Sequence, residues 1–259
     1  MRNIRFESDG KIAVLTISRP AVRNAVDVET LGELEALLSD LERDRDLLAL
    51  ILTGEGDDCF ISGGDLRQLR ELDDLHKGRE MCLRGQRVLS RLEALDAAVI
   101  GAVNGSAYGG GCEFALACDM RIASKEAEFC FRQVKLGIMT GWGGATRLHR
   151  IVGRARAMRL LLTGAPVGAE QALNMGLVDD VAPRGEVLAR ARELAGEIAS
   201  GAPLAVRFVK RVFNHVRDMP VHSGIAYEAE LFSILWDSRD HREAERAYFA
   251  REKPTWKGK

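Results

Sequence analysis

The stretch Asn104-Gly-Ser-Ala-Tyr-Gly-Gly-Gly-Cys-Glu113 departs from the strand and helix patterns on either side of it. Its three consecutive glycines precede a helical run, so the backbone can approach a ligand closely and leaves N–H groups free at the helix start. Such N–H groups stabilise developing negative charge, for example on an enolate or a tetrahedral oxyanion. Taken alone, the stretch is equally consistent with a tight turn.

In a second segment, Cys59-Phe-Ile-Ser-Gly-Gly-Asp-Leu66, the adjacent Gly63 and Gly64 follow an apolar stretch. Its Asp65 can cap a following helix, and a tight turn again explains the glycines on their own. Neither segment fits G-x-G-x-x-G or a P-loop, because no Gly-Lys-Ser/Thr follows. The pattern therefore disfavours a site for nucleotide phosphates.

Strand and helix signals alternate around both segments, which predicts a layered α/β core. Strands are predicted at residues 12–18, 47–53, 98–103 and 120–124, and helices from Asp27 and from 74 to 95. From about residue 155 the strand signals fade, and helices are predicted at 155–163, 169–175, 185–200, 204–217 and 221–252. We predict an α/β core over residues 1–198 and a helical C-terminal region over 199–259, which covers a site or an oligomer interface.

The composition excludes several classes of function. The chain has 259 residues with 37 Lys+Arg against 38 Asp+Glu, a balance that argues against nucleic-acid binding. It contains no run of eighteen apolar residues, and its first residues lack the apolar region of a signal peptide. The five cysteines have no Cys-x-x-Cys pairing and are typical of reduced thiols. We expect a cytoplasmic protein with no metal site and no membrane partner.

The two glycine segments, together with four further motifs in order, resemble the enoyl-CoA hydratase/isomerase (crotonase) superfamily over nearly the whole chain. The motifs lie at residues 19–25, 60–66, 109–119, 143–148, 162–164 and 169–178. The resemblance implies a spiral of ββα turns and acyl-CoA thioester substrates. It also implies a homotrimer or a dimer of trimers, with no cofactor beyond the coenzyme A that enters as part of the substrate.

The resemblance also implies the site residues. Gly64 and Gly110 match the two backbone N–H donors that hold the thioester carbonyl and stabilise its enolate. Substrate and CoA contacts are implied for Arg23, Asn24, Ala25, Ser62, Gly63, Asp65, Leu66, Gly109, Gln133, Gly141 and Trp142. Trp142 stands where an aromatic side chain can wall the acyl pocket.

Glu113 matches the first of the two glutamates that hydratases of this family use as acid and base. It follows Gly110 by three residues, which places both on one face of a short helix. The second glutamate is missing, because Gln133 stands at its position. Glutamine cannot exchange a proton at neutral pH, although it can hold a water, a leaving carboxylate or a substrate amide.

Three hypotheses remain open from the sequence. The first is a hydratase or isomerase whose second catalytic group is borrowed or replaced by an oriented water. The second is a decarboxylase for malonyl-type acyl-CoA, in which Glu113 donates the proton. Residues 141–147 and 234–237 look similar to ethylmalonyl-CoA decarboxylases, which also lack the second glutamate. The third is a non-catalytic acyl-CoA binder.

Overall fold

The computed structural model describes residues 1–259 and contains two sheets. The larger sheet has the strand order β1-β2-β3-β5-β7-β10, and the smaller has the order β4-β6-β8-β9. The strands are β1 Ile4–Ser8, β2 Ile12–Ile17, β3 Ala49–Gly54, β4 Cys59–Ile61, β5 Ala98–Val103, β6 Ser106–Tyr108, β7 Met120–Ser124, β8 Glu128–Cys130, β9 Val167–Gly168 and β10 Asp180–Ala182. Only β1 with β2 and β8 with β9 pair antiparallel.

Eleven helices surround the sheets. They are α1 Val28–Leu41, α2 Leu66–Leu69, α3 Leu75–Ala94, α4 Gly110–Leu116, α5 Gly144–Val152, α6 Arg154–Thr163, α7 Ala169–Asn174, α8 Val187–Ala199, α9 Pro203–Val216, α10 Val221–Trp236 and α11 Arg239–Ala250. Short 3₁₀ turns occupy Pro20–Val22 and Arg132–Leu136. No helix combines the length and the apolar character that crossing a membrane requires.

Aspartate side chains begin three of these helices. Asp27, Asp65 and Asp74 each accept a backbone N–H from the first turn of α1, α2 and α3, respectively. A carboxylate at this position satisfies an N–H that the helix itself leaves unpaired and is favoured by the helix dipole. The predicted capping role of Asp65 is therefore confirmed.

The central strands β3 and β5 of the larger sheet are buried on both faces, as their apolar runs predict. Successive residues of a strand point to opposite faces. Leu50 and Leu52 of β3 accordingly belong to the main core with α1 and α3, while Ile51 packs with Val187 and Ala191 of α8.

Two predictions for the C-terminal half are wrong. The helix predicted at residues 221–252 is two helices, because Ser238 accepts the backbone N–H of His241 and starts α11 afresh. Strands are also present after residue 155, namely β9 and β10. They are two and three residues long and exist through pairing with β8 and β7, which local sequence patterns do not reveal.

The C-terminal helices expose large apolar side chains. Val209, Phe213, Val221, Ile225, Phe232, Ile234 and Trp236 of α9 and α10 are more than half exposed. Exposed apolar surface of this kind is typical of protein–protein contacts. The boundary after residue 198 and the homotrimer or dimer of trimers stay predictions.

Candidate active site

The two glycine segments meet because the strands before them are neighbours. β4 and β6 pair in parallel, so the residues that follow them leave the smaller sheet at the same edge. Gly63 has a φ of 105°, and a Cβ there would lie 3.0 Å from the carbonyl oxygen of Tyr108 and 3.1 Å from the nitrogen of Gly110. Glycine is therefore required for this close approach.

Two backbone N–H groups at this edge are available to a ligand. A bridge joins Val26 to Gly64 through the carbonyl of Gly63 and the N–H of Asp65, and it leaves the N–H of Gly64 without a backbone partner. Gly110 is the first residue of α4, whose N–H has no acceptor within the helix. The structure thus brings together the two glycines that the sequence predicts as an oxyanion hole.

Glu113 lies one turn into α4 and is 2% exposed. Its Oε2 accepts the backbone N–H of Trp142 at 2.8 Å and that of Gly144 at 2.7 Å. Its Oε1 accepts an N–H from the side chain of Gln133 at 3.1 Å. A buried carboxylate needs such donors, because its charge has lost the stabilisation of water.

Burial raises the pKa of Glu113 above its ordinary value. The N–H groups of Gly144 and Trp142 and the amide of Gln133 act in the opposite direction, because they stabilise the ionised form. Burial is the larger effect. A carboxyl group with a raised pKa at a site of this kind can exchange a proton near neutral pH more readily than an exposed glutamate.

Gln133 lies beside Glu113 at the start of the 3₁₀ turn and is 7% exposed. While its Nε2 donates to Glu113, its Oε1 is buried and has no hydrogen-bond partner. An unpaired buried oxygen is uncommon and calls for a ligand or a water. Gln133 therefore offers one acceptor beside the carboxylate.

The indole ring of Trp142 lies against Gly64 and Gly110, and Trp142 is 5% exposed. A Cβ on Gly110 would lie 2.4 Å from the indole, and a Cβ on Gly85 of α3 would lie 2.3 Å from it, so the ring fills the space that these glycines leave. The indole also packs edge-on against Phe114, with ring centroids 5.9 Å apart. It closes one side of a cavity of about 30 Å³ beside Gly64.

This small cavity is mainly apolar. Its lining combines Trp142 with Val26, Val28, Leu31, Leu69, Leu72 and Met81 and with the more polar Asp27, Gly64, Asp65 and Gln68. A site for one water needs roughly 10–15 Å³, so the cavity accepts only a few carbon atoms. The role of Trp142 as a wall of an acyl pocket stays a prediction.

Arg23 and Ser62 lie at the open side of the site. Arg23 is exposed, and its guanidinium stands 5.3 Å from the centre of the Tyr108 ring. Arg132 stands 5.7 Å from the centre of the same ring. Ser62 is half-buried and donates to the carbonyl of Val22. These residues form a cationic, accessible rim.

Other residues predicted to bind the substrate are occupied within the fold. Asn24 is 1% exposed, and its side-chain amide donates to the carbonyl oxygens of Glu55 and Cys59. Ala25 is also buried, so a contact from either residue would come from the backbone. Asp65 caps α2 and pairs with Arg19 at 3.3 Å.

The remaining predicted contact residues differ in their surroundings. Leu66 is exposed on α2. Gly109 has a φ of 53° and lies against the side chain of Gln133. Gly141 has its carbonyl oxygen held by side chains of α3.

Gly144 and Gly85 also shape the site and are not among the predicted site residues. Gly144 supplies an N–H to Glu113, and Gly85 makes room for the indole of Trp142. The adjacent Gly143 and Gly144 after a tryptophan signal a close backbone approach at Gly144. No local signal marks Gly85, because its partner lies 57 residues further along the chain.

Comparison with known proteins places this geometry in context. The family model described as enoyl-CoA hydratase/isomerase matches residues 7–259. A short-chain-enoyl-CoA hydratase of Clostridium acetobutylicum is 39% identical over 98% of this chain and 97% of its own length. A crotonyl-CoA hydratase of Syntrophomonas wolfei is 38% identical over 97% of this chain and 96% of its own.

Solved structures share the whole architecture. An enoyl-CoA hydratase from Bacillus anthracis superposes with a TM-score of 0.96 at 31% identity and covers 100% of both chains. DspI of Pseudomonas aeruginosa gives a TM-score of 0.95 at 34% identity, over 99% of this chain and 97% of its own. The predicted α/β crotonase-like fold is confirmed.

The contact between Gly144 and Glu113 predicts a sharp sensitivity to one added methyl group. A Cβ at Gly144 would lie 2.7 Å from Cγ of Glu113, whose carboxylate is fixed by three hydrogen bonds. We expect Gly144→Ala to lower the free energy of unfolding in urea by about 1–3 kcal/mol. The matched Gly196→Ala, at an exposed position of α8 with open space around it, should raise it by roughly 0.5–1 kcal/mol. Equal effects of the two substitutions would contradict this packing.

Proposed function

Because the chain belongs to the enoyl-CoA hydratase/isomerase family, we propose that this enzyme adds water reversibly to a short-chain 2-enoyl-CoA with Glu113 as its one acid/base side chain. The observation that carries the proposal is the buried Glu113 carboxylate, which stands beside an unpaired amide oxygen and one turn from the free N–H of Gly110. The similarity to a short-chain-enoyl-CoA hydratase and a crotonyl-CoA hydratase supports the same reaction.

In the proposed reaction one proton is taken and returned by the same group. Ionised Glu113 accepts a proton from water as the water oxygen bonds to C3 of the enoyl group. The C2–C3 double-bond electrons move towards the thioester oxygen, and the N–H groups of Gly64 and Gly110 stabilise the resulting enolate. Protonated Glu113 then gives its proton to C2, so that the elements of one water are added and the carboxylate is restored.

In the proposed hydration, Gln133 orients the attacking water and does not exchange a proton. Its unpaired Oε1 can accept a hydrogen bond from the attacking water, while its Nε2 donates to Glu113. The water would then be held between an amide oxygen and a carboxylate. Orientation of a reactant by fixed groups accelerates a reaction even where no proton is transferred.

The proposed short acyl chain rests on the size of the cavity beside Gly64. Its volume of about 30 Å³ accommodates only a few carbon atoms, and Trp142 closes it. We further propose that the CoA portion lies across the rim, where the exposed guanidinium of Arg23 can pair with phosphate.

The test is turnover of crotonoyl-CoA, followed by loss of absorbance of the enoyl thioester and by mass spectrometry of the product. We expect the wild-type protein to form 3-hydroxybutyryl-CoA. Glu113→Gln should reduce kcat by about 10²–10⁴-fold, because it removes the proton-exchanging group. Binding of a saturated CoA ester, measured by calorimetry, should persist in this variant. Unchanged turnover in Glu113→Gln would refute the assigned role.

Decarboxylation of a malonyl-type CoA is a second candidate, and it is favoured by one observation. The site pairs a single carboxyl group of raised pKa with a neutral amide, so a substrate carboxylate beside Gln133 meets less repulsion than beside a second glutamate. Loss of CO₂ leaves the bonding electrons on the enolate, and protonated Glu113 would supply the proton to the α-carbon.

Gln133→Glu separates the two candidates. A second carboxyl group should raise hydration, because it adds an acid/base group, and should slow decarboxylation of ethylmalonyl-CoA, because it repels the substrate carboxylate. The rates of hydration and of decarboxylation should also change with pH in opposite directions. Hydration needs ionised Glu113 and falls as the pH drops through its raised pKa, whereas enolate protonation needs the acid form and falls as the pH rises through it. Product analysis of both substrates over a pH series provides the measurement.

Removal of the indole should allow the site to accept longer acyl chains. We expect Trp142→Leu to increase the ratio of kcat/KM for octenoyl-CoA to that for crotonoyl-CoA by at least about tenfold, because each methylene that finds room contributes to binding. Trp236→Leu, at an exposed tryptophan of α10, is the matched control and should leave this ratio unchanged. The same ratio in all three proteins would show that the cavity beside Gly64 does not hold the acyl chain.

A further inference from the structure

We infer that Gln86 of α3 is a positioning residue, which holds the peptide between Gly141 and Trp142 so that its N–H points at Glu113. The inference rests on the proposed role of Glu113 as the acid/base group. Gln86 and Glu113 do not hydrogen-bond to one another, and the connection between them runs through one peptide plane.

The two ends of this peptide are hydrogen-bonded on opposite sides. The Nε2 of Gln86 donates to the carbonyl oxygen of Gly141 at 2.8 Å. The N–H of Trp142, which belongs to the same peptide, donates to Oε2 of Glu113 at 2.8 Å. A trans peptide is planar, with its C=O and N–H pointing in opposite directions, so a hydrogen bond that fixes the carbonyl also fixes the N–H. A hydrogen bond to the carbonyl also strengthens the N–H as a donor.

α3 supplies this support from one face. Cys82 and Gln86 are four residues apart and therefore adjacent on the helix, and the Sγ of Cys82 also donates to the carbonyl of Gly141. Gly85, between them, leaves the space that the indole of Trp142 occupies. One face of α3 thus contacts both the ring and the backbone of residues 141–142.

The next carbonyl along the chain is held from α3 by a different route. Arg147 of α5 donates to the carbonyl oxygen of Trp142 at 2.8 Å and is itself paired with Glu93 of α3. This guanidinium is directed to Glu93 and to the backbone, so it is not a counterion of Glu113. α3 therefore fixes two successive peptides of the segment that supplies N–H groups to Glu113.

Gln86 is the stronger of the two donors to Gly141. A thiol is a weak hydrogen-bond donor, whereas an amide N–H is a normal one. Burial raises the pKa of Cys82, which keeps it a neutral thiol. Loss of the Gln86 amide therefore leaves the carbonyl of Gly141 with its weaker donor.

The groups near Glu113 on the elements packed against α4 are uncharged. They are the amide of Gln133, which donates to Glu113, and the thiol of Cys82 on α3. Cys112, next to Glu113 on α4 itself, donates to the carbonyl of Ala107, and burial raises the pKa of its thiol. With no charged partner to compensate, the pKa of Glu113 depends on burial and on its N–H donors. A weaker bond from Trp142 destabilises the ionised form and moves this pKa further upward.

The test replaces Gln86 by methionine, which keeps a similar length and removes the N–H donor. With crotonoyl-CoA we expect kcat to fall about tenfold and KM to change less than about twofold. The acidic limb of the kcat/KM profile should move to higher pH. Gln86→Lys keeps a donor and should hold kcat within about threefold of the wild-type value, whereas a role limited to packing predicts that methionine is tolerated better than lysine. The control Gln171→Met, at an exposed glutamine of α7, should leave kcat and the limb unchanged.

A second measurement keeps this inference separate from the proposed reaction. The carboxyl stretch of Glu113 is followed against pH by difference infrared spectroscopy of protein labelled with ¹³C-glutamate, and Glu113→Gln identifies the band. A higher Glu113 pKa in Gln86→Met supports the inference, even if the wild-type protein does not hydrate crotonoyl-CoA and the proposed function fails. An unchanged Glu113 pKa in Gln86→Met, with wild-type hydration intact, overturns the inference and leaves the proposed function standing.

Discussion

The structure around the candidate site depends on burying one carboxylate and supplying it with enough N–H groups. Glu113 is almost fully buried, and the N–H groups of Trp142 and Gly144 meet one of its oxygens. Burying an ionised carboxylate without such partners is unfavourable in free energy, because the charge loses its hydration. The approach of α5 to α4 follows from this need, because Gly144 brings its nitrogen to Glu113 only where no Cβ intervenes.

Two other glycines, Gly85 and Gly110, leave room for the indole of Trp142. The space that side chains at Gly85 and Gly110 would fill is occupied by this ring, which packs against Phe114 and limits the cavity beside Gly64. The segment that gives Glu113 its hydrogen bonds thus also limits the space beside Gly64 and Gly110, the two glycines of the proposed oxyanion hole. In the proposed enzyme, acyl-chain selectivity and the ionisation of Glu113 are therefore linked through residues 141–144, and α3 supports both.

The sequence predicts the parts of this arrangement that local patterns encode. The bounds of β5 and β7 agree with the predicted strands at 98–103 and 120–124, and the apolar run of β5 ends at the turn that begins with Asn104-Gly105. The two glycine segments were predicted to act together, and the structure brings Gly64 and Gly110 to the same edge of the smaller sheet.

Long-range contacts account for what local patterns did not reveal. β9 and β10 form only through pairing, and the side chain of Asn24 is bound to backbone atoms 31 and 35 residues away. The bond from Gln86 to Gly141 spans 55 residues, and neither residue carries a local signal for it.

The glutamine beside Glu113 changes the electrostatics of the site as well as the number of its side chains that can hold a proton. Two adjacent buried carboxylates repel one another, so one of them would hold a proton to higher pH and the two would titrate as a coupled pair. Gln133 replaces that repulsion with an N–H donor, which stabilises the ionised form of Glu113. Burial and hydrogen bonding then oppose one another on a single titrating group. In the proposed hydration, a site of this kind has one place to store a proton, so the proton that leaves the water is the one that reaches C2. The addition of oxygen and hydrogen is thereby confined to the face of the enoyl group that Glu113 meets.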